Sequence, residues 1–210
     1  MSIAKDTING DHFAVLTKLG IPLVFFDRVC EDIQTPKVLV NNYEITFSAT
    51  EHLVRKGYKR IVHITGTNGI NVFRDRQRGY SDALLKNNIG YLQPIVLEEN
   101  FSVETGKSIF STLWNSPERP DAIISSSAHL TMGILLQARA YDIEIPAELG
   151  LITFGTLLSS EVIQPQISYI DQPEKEITEI SFELLEKMIN GELPVGESVE
   201  KVVRAKIIYR

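Results

Sequence analysis

The chain has 210 residues, 43% of them hydrophobic and 23% charged, with a formal net charge of −6. That length supports a buried core in one large domain or two small lobes, and the charge argues against a nucleic-acid surface, which needs clustered Lys and Arg. The single cysteine, Cys30, excludes an intramolecular disulfide, and no run approaches the roughly 20 apolar residues of a membrane span.

In chain order, residues 11–19 read as a helix closed by Gly20, followed by strands at 22–26 and 37–40. Ile45, Ala49 and Leu53 recur at helical spacing over 44–56, and Gly57 is a suitable left-handed stop. A strand at 60–65, a helix over 72–87, a turn at 88–90, a strand near Ile95 and a helix over 103–114 follow. The next elements are a strand at 121–125, an apolar helix over 130–140, a strand at 150–154, a polar loop over 155–160 and a strand at 167–170. Pro173 suits a helix start, and that helix carries Ile177, Ile180, Leu184 and Met188 on one face before Asn190-Gly191; residues 199–209 are β-rich.

Strands separated by helices imply right-handed crossovers and parallel sheets covered by helices. The strand ends then share one side, where small ligands bind in such sheets. Before Pro22 the chain supplies one helix and a strand edge at Ser2-Ile3, so that part reads as cut short, whereas the part after Asn42 reads as complete.

Arg76 lies three residues after Phe73 and four before Tyr80, on the inward stripe of its helix. A cation near the positive end of a helix dipole needs a partner, either a structural carboxylate or a ligand. Arg74 and Arg78 point elsewhere. Asp27 ends an apolar strand, where it either caps a loop or accepts hydrogen bonds from ligand hydroxyls. Ser125-Ser-Ser127 either caps the helix beginning at Ala128 or faces a ligand, with Ser127 as the ligand candidate. Phe101 is a stacking platform or a core plug.

Enzyme chemistry finds no support. Gly66-Thr-Asn-Gly69 lacks both the dinucleotide fingerprint and the Walker lysine, and no nucleophile elbow or carboxylate pair stands out. Cys30 has no neighbouring histidine in sequence to activate it. The four histidines, His12, His52, His63 and His129, lack metal-ligand spacing. No cofactor and no metal are expected.

Several strings together resemble the LacI/GalR family of transcription regulators. They are Ile21-Pro-Leu-Val-Phe-Phe-Asp-Arg28, Val40-Asn-Asn-Tyr43, Thr50-Glu-His-Leu-Val-Arg-Lys-Gly-Tyr-Lys-Arg-Ile61 and Arg74-Asp-Arg-Gln-Arg-Gly-Tyr80. Pro120-Asp-Ala-Ile-Ile124, Ile145-Pro-Ala-Glu-Leu-Gly150, residues 167–172 and Asp171-Gln-Pro173 continue the pattern in order.

The resemblance implies an α/β, two-lobed, periplasmic-binding-protein-like fold with parallel sheets and an incomplete N-terminal lobe. Residues 1–41 and 172–193 would form the first lobe, and 42–171 with 194–210 the second. It implies a sugar or related metabolite in the interlobe cleft, contacted by Asp27, Arg76, Phe101, Ser127 and Thr156. Ser127-Ala128 stands where the family has Asn-Asp, and Gly155-Thr156 replaces its G-F-D-[DN] acceptors, so the pocket is less anionic than usual. Operator DNA would be met only through a helix-turn-helix that this sequence does not contain. A homodimer is expected, with the apolar 130–140 helix as a candidate surface or as ordinary core. The first residues carry no export signal, so a cytoplasmic, non-membrane protein is expected. The other readings are a transporter's solute-binding protein, an enzyme in the same cleft, and a ligand-independent dimerisation module.

Overall fold

The computed structural model describes residues 1–4, 7, 9–90, 92–98, 100–156 and 165–210. The expected loop at 155–160 is therefore seen only at Gly155 and Thr156; its remainder lies outside the described residues. The chain divides into two compact units: Met1–Asn41 with Ile70–Val72 and Pro173–Arg204, and Asn42–Gly69 with Phe73–Gln172 and Ala205–Arg210.

The first unit holds helix α1 (Asp11–Lys18) and strands β1 (Phe25–Phe26) and β2 (Lys37–Val40). Its sheet has the order β1-β2-β8, all parallel, where β8 is Glu200–Val203. Residues 1–3 run beside β1: the Met1 amine donates to the Val24 carbonyl, Phe26 N–H donates to Met1 O at 2.9 Å, and Ile3 N–H donates to Arg28 O at 3.0 Å. The helix after Pro173, Glu174–Ile189, buries Ile177, Leu184 and Met188. Cys30 is buried in this unit.

The expected boundary placed 194–210 in the second lobe, but β8 pairs with β2 and so puts the chain through Arg204 in the first unit. Residues 199–209 look like one β-rich run because strand propensity does not reveal which sheet accepts a strand. After the 174–189 helix, a crossover returns the chain parallel to β2. The last segment, Lys206–Ile208, instead pairs antiparallel with Ser168–Asp171 in the second unit.

The second unit contains α2 (Asn42–Arg55), β3 (Ile61–Gly66), α3 (Asn71–Lys86, from its third residue), β4 (Ile95–Leu97), α4 (Val103–Trp114), β5 (Ala122–Ser125), α5 (Ala128–Ala140), β6 (Gly150–Phe154), β7 (Ser168–Asp171) and β9 (Lys206–Ile208). The 174–189 helix of the first unit is α6. The sheet order is β4-β3-β5-β6-β7-β9, with only β9 antiparallel to its neighbour. β3, β5 and β6 are buried throughout because helices cover both faces, which is why they read as nearly continuous apolar runs.

On one face, Val62, Ile64, Ile123 and Leu151 pack with Phe110, Leu130, Ile134, Leu135 and Ala138. The apolar character of α5 is thus spent mostly on the core, although Leu136 stays 45% exposed. Of the two readings left open for this helix, core burial accounts for most of its apolar side chains. On the other face, the fully buried Tyr80 donates to the Ile61 carbonyl at 2.7 Å and lies 2.8 Å from the Leu92 carbonyl. Tyr80→Phe leaves these buried acceptors without that donor and is expected to cost about 1–2 kcal/mol, read from urea unfolding midpoints.

Candidate functional site

Four of the parallel strands of the second unit end at Gly66, Ser125, Phe154 and Asp171; Ser127 and Thr156 follow two of these ends, and Arg76 packs on Phe154. Arg76 is held there by α3, which follows β3 after a short turn. A Cβ on Gly66 would strike the Phe73 ring, and one on Gly79 would strike the Tyr43 carbonyl, so glycine lets α3 approach both β3 and α2. Gln77 reinforces that docking by donating from Nε2 to the Gly66 carbonyl at 2.8 Å.

Arg76 itself is only 4% exposed. Its Nε donates to Asn42 Oδ1 at 2.7 Å, and its guanidinium lies 3.6 Å from the centre of the Phe154 ring. Both contacts fix the plane of the fork, and the ring adds a cation–π attraction. Arg74 and Arg78 pair instead with Asp75 at 3.7 Å and 3.6 Å, and Arg78 is 65% exposed. The sequence reading of which arginine points inward is the one the helix adopts.

Phe154 leads through Gly155, at φ 82°, to the exposed Thr156. Only glycine takes that backbone without strain. On the adjacent strand end, Ser127 occupies the N-cap position of α5 in an extended conformation, yet its hydroxyl makes no capping bond. The capping alternative therefore does not account for it. Phe101 stacks on Phe73 with ring centroids 5.5 Å apart and packs against the core, so the core-plug role is filled.

Three buried polar residues here, Asn42, His63 and Thr65, were not among the site candidates read from the sequence. Asn42 opens α2 and receives Arg76; its only sequence signal is an amide placed between a strand and a helix. His63 and Thr65 share one face of β3, and both are fully buried. Burial, with the Arg76 charge adding to it, pushes the His63 imidazole down to about 3, so the ring is neutral at physiological pH. An isolated polar residue in an apolar strand is visible in sequence, but its partners are not.

In the first unit, Asp27 stands at the end of β1 with φ 59°, a left-handed conformation that aspartate tolerates better than most residues. Asn71 holds this backbone from both sides: its Nδ2 donates to the Asp27 carbonyl at 3.0 Å, and its Oδ1 accepts from Val29 N–H at 3.1 Å. Asp27 Oδ1 is buried and has no hydrogen-bond partner among the described residues, while Oδ2 lies 3.9 Å from Arg28 Nε.

The sequence profile of the periplasmic binding protein-like domain matches residues 50–210. The chain belongs to that family. Catabolite control protein A of Priestia megaterium is 25% identical over 187 residues, covering 88% of this chain and 56% of that protein. The HTH-type transcriptional repressor CytR of Escherichia coli K12 is 26% identical over 171 residues, covering 81% and 50%. This family member therefore spans about half the length of these relatives. In fold it is similar to a LacI family transcriptional regulator from Enterococcus faecium with bound ribose, with a TM-score of 0.81, 23% identity, and coverage of 93% of this chain and 72% of that one. The LacI-type resemblance read from the motifs agrees with these curated relatives, of which CytR is named a transcriptional repressor. Among the described residues, no helix is long and apolar enough to cross a membrane.

Proposed function

We propose that the chain is the effector-sensing core of a LacI-type transcription regulator that binds a sugar or related metabolite. Arg76 carries this reading: a guanidinium at 4% exposure, oriented by Asn42 and Phe154 at the C-terminal ends of parallel strands. A fork fixed in this way suits bidentate recognition of vicinal hydroxyls or a carboxylate. Ser127 and Thr156, at neighbouring strand ends, would add neutral hydrogen-bonding groups. Phe101 would contribute apolar contact beside its stack on Phe73, and Asp27 in the first unit would accept from effector hydroxyls. The relative with bound ribose supports a sugar-sized ligand.

In the intact regulator the effector would act by binding one arrangement of the protein more tightly than another. Operator DNA would be contacted by a helix-turn-helix outside these residues, and the working form would be a cytoplasmic homodimer.

The test is calorimetric titration with D-ribose, D-ribonate and adenosine. Arg76→Ala is expected to weaken whichever of them binds by about 10- to 100-fold, the scale of a lost charged hydrogen bond. Far-UV circular dichroism checks that the variant stays folded. Unchanged affinity in a folded variant removes Arg76 from the site.

A further inference from the structure

The three serines after Ile124 differ in their bonding. Ser125 is fully buried and donates its hydroxyl to the Ser127 carbonyl at 3.1 Å. Ser127 makes no side-chain cap bond. Ser126 is partly exposed; its N–H donates to the Ile64 carbonyl at 2.9 Å, and its hydroxyl lies 3.1 Å from His63 Nε2. Backbone and side chain of Ser126 are thus both anchored on β3.

The direction of the His63–Ser126 bond follows from the other ring nitrogen. His63 Nδ1 is buried and has no hydrogen-bond partner among the described residues. A neutral imidazole carries one proton. Placing it on Nδ1 would bury an N–H with no acceptor, whereas placing it on Nε2 leaves only a bare lone pair. Orphaned buried donors are the rarer outcome, so Nε2–H donates to Ser126 Oγ. The ring cannot escape the choice by taking a second proton, because burial and the Arg76 charge keep it neutral. The Ser126 hydroxyl then accepts from His63, and its own proton remains available for an outside acceptor.

We infer that Ser126 is an effector-binding donor to an oxygen of the ligand, and that His63 is the positioning residue that orients it. The inference rests on the effector reading above and assigns that site a donor that the sequence reading did not name. A ligand oxygen, whether of a sugar or a carboxylate, would meet the Arg76 fork of α3 and a neutral O–H just past the end of β5.

Two measurements decide it. In uniformly ¹⁵N-labelled protein, long-range proton–nitrogen spectra should place the His63 proton on Nε2; a proton on Nδ1 overturns the inference. In calorimetry with D-ribose, D-ribonate and adenosine, Ser126→Ala and His63→Leu should each weaken the binding seen by about 3- to 10-fold. His63→Gln, whose amide can donate to the same oxygen, should stay within about 2-fold of the parent, which a merely space-filling role for His63 would not require. If Arg76→Ala weakens binding and Ser126→Ala does not, this inference falls alone. If neither changes affinity, or the parent binds none of the three, the effector reading falls with it.

Discussion

Replacing Gly133 with valine is expected to destabilise the second unit by about 3 kcal/mol or more, at the upper end of what overpacking costs. Helices α4 and α5 cross with glycine facing glycine. A Cβ on Gly133 would collide with the Val103 carbonyl and stand 2.8 Å from Lys107 N and 2.9 Å from Gly106 Cα. A Cβ on Gly106 would collide with the Leu130 carbonyl from the other side. These are backbone atoms, so no rotamer change relieves the overlap; the helices must separate. Separation opens the packing of Phe110, Leu130, Ile134 and Ala138, which share one apolar cluster. Gly133→Ala should show a smaller loss of the same sign. Gly69→Ala is the control, since its added methyl meets only Thr67 Oγ1 at 3.9 Å, an ordinary contact. Urea unfolding followed by circular dichroism gives the ranking. A Gly133→Val protein as stable as Gly69→Ala would show that the helices do not approach this closely.

Periodicity made most of the architecture legible, because each helix buries one stripe and each central strand is covered on both faces. The α4 bounds, Val103–Trp114, follow directly from that pattern. The arginine stripe was legible for the same reason: Arg76 shares a face with Phe73 and Tyr80, and all three are buried. Pairing partners were not legible. Nothing in residues 199–209 shows that Val203 joins the first sheet while Ile207 joins the second, since local propensity is the same for both. The strand expected over 22–26 narrowed to Phe25–Phe26 because its neighbour β2 begins only at Lys37. Apolar richness in α5 left core and interface open, and the glycine contact with α4 explains why most of that surface faces inward. At the site, residue type named Ser127, but only the folding of β3 beside β5 brings His63 against Ser126.

Acid should weaken the fold through His63. Its imidazole is fully buried and titrates near 3 when folded, against an ordinary value of 6.5, because burial first and the Arg76 charge second oppose a proton. Between those values the unfolded chain binds the proton and the folded chain does not, so stability rises with pH through this window and is lost on acidification from about 6.5 downward. At pH 5 the loss is about 2 kcal/mol, the cost of discarding a proton 1.5 pH units below the unfolded pKa. Because the folded value lies well below 5, that figure depends on the unfolded histidine alone. The partly buried His52 is also lowered, by burial first and then by Lys56 and Arg55, and adds a slope of the same sign. The informative quantity is therefore a difference: urea unfolding of the parent and of His63→Gln at pH 7 and pH 5. The variant should lose about 2 kcal/mol less than the parent over that interval, even if it is the less stable protein at pH 7. Equal losses would mean that His63 takes up its proton in the folded state, and that the ring is not sealed between β3 and α3.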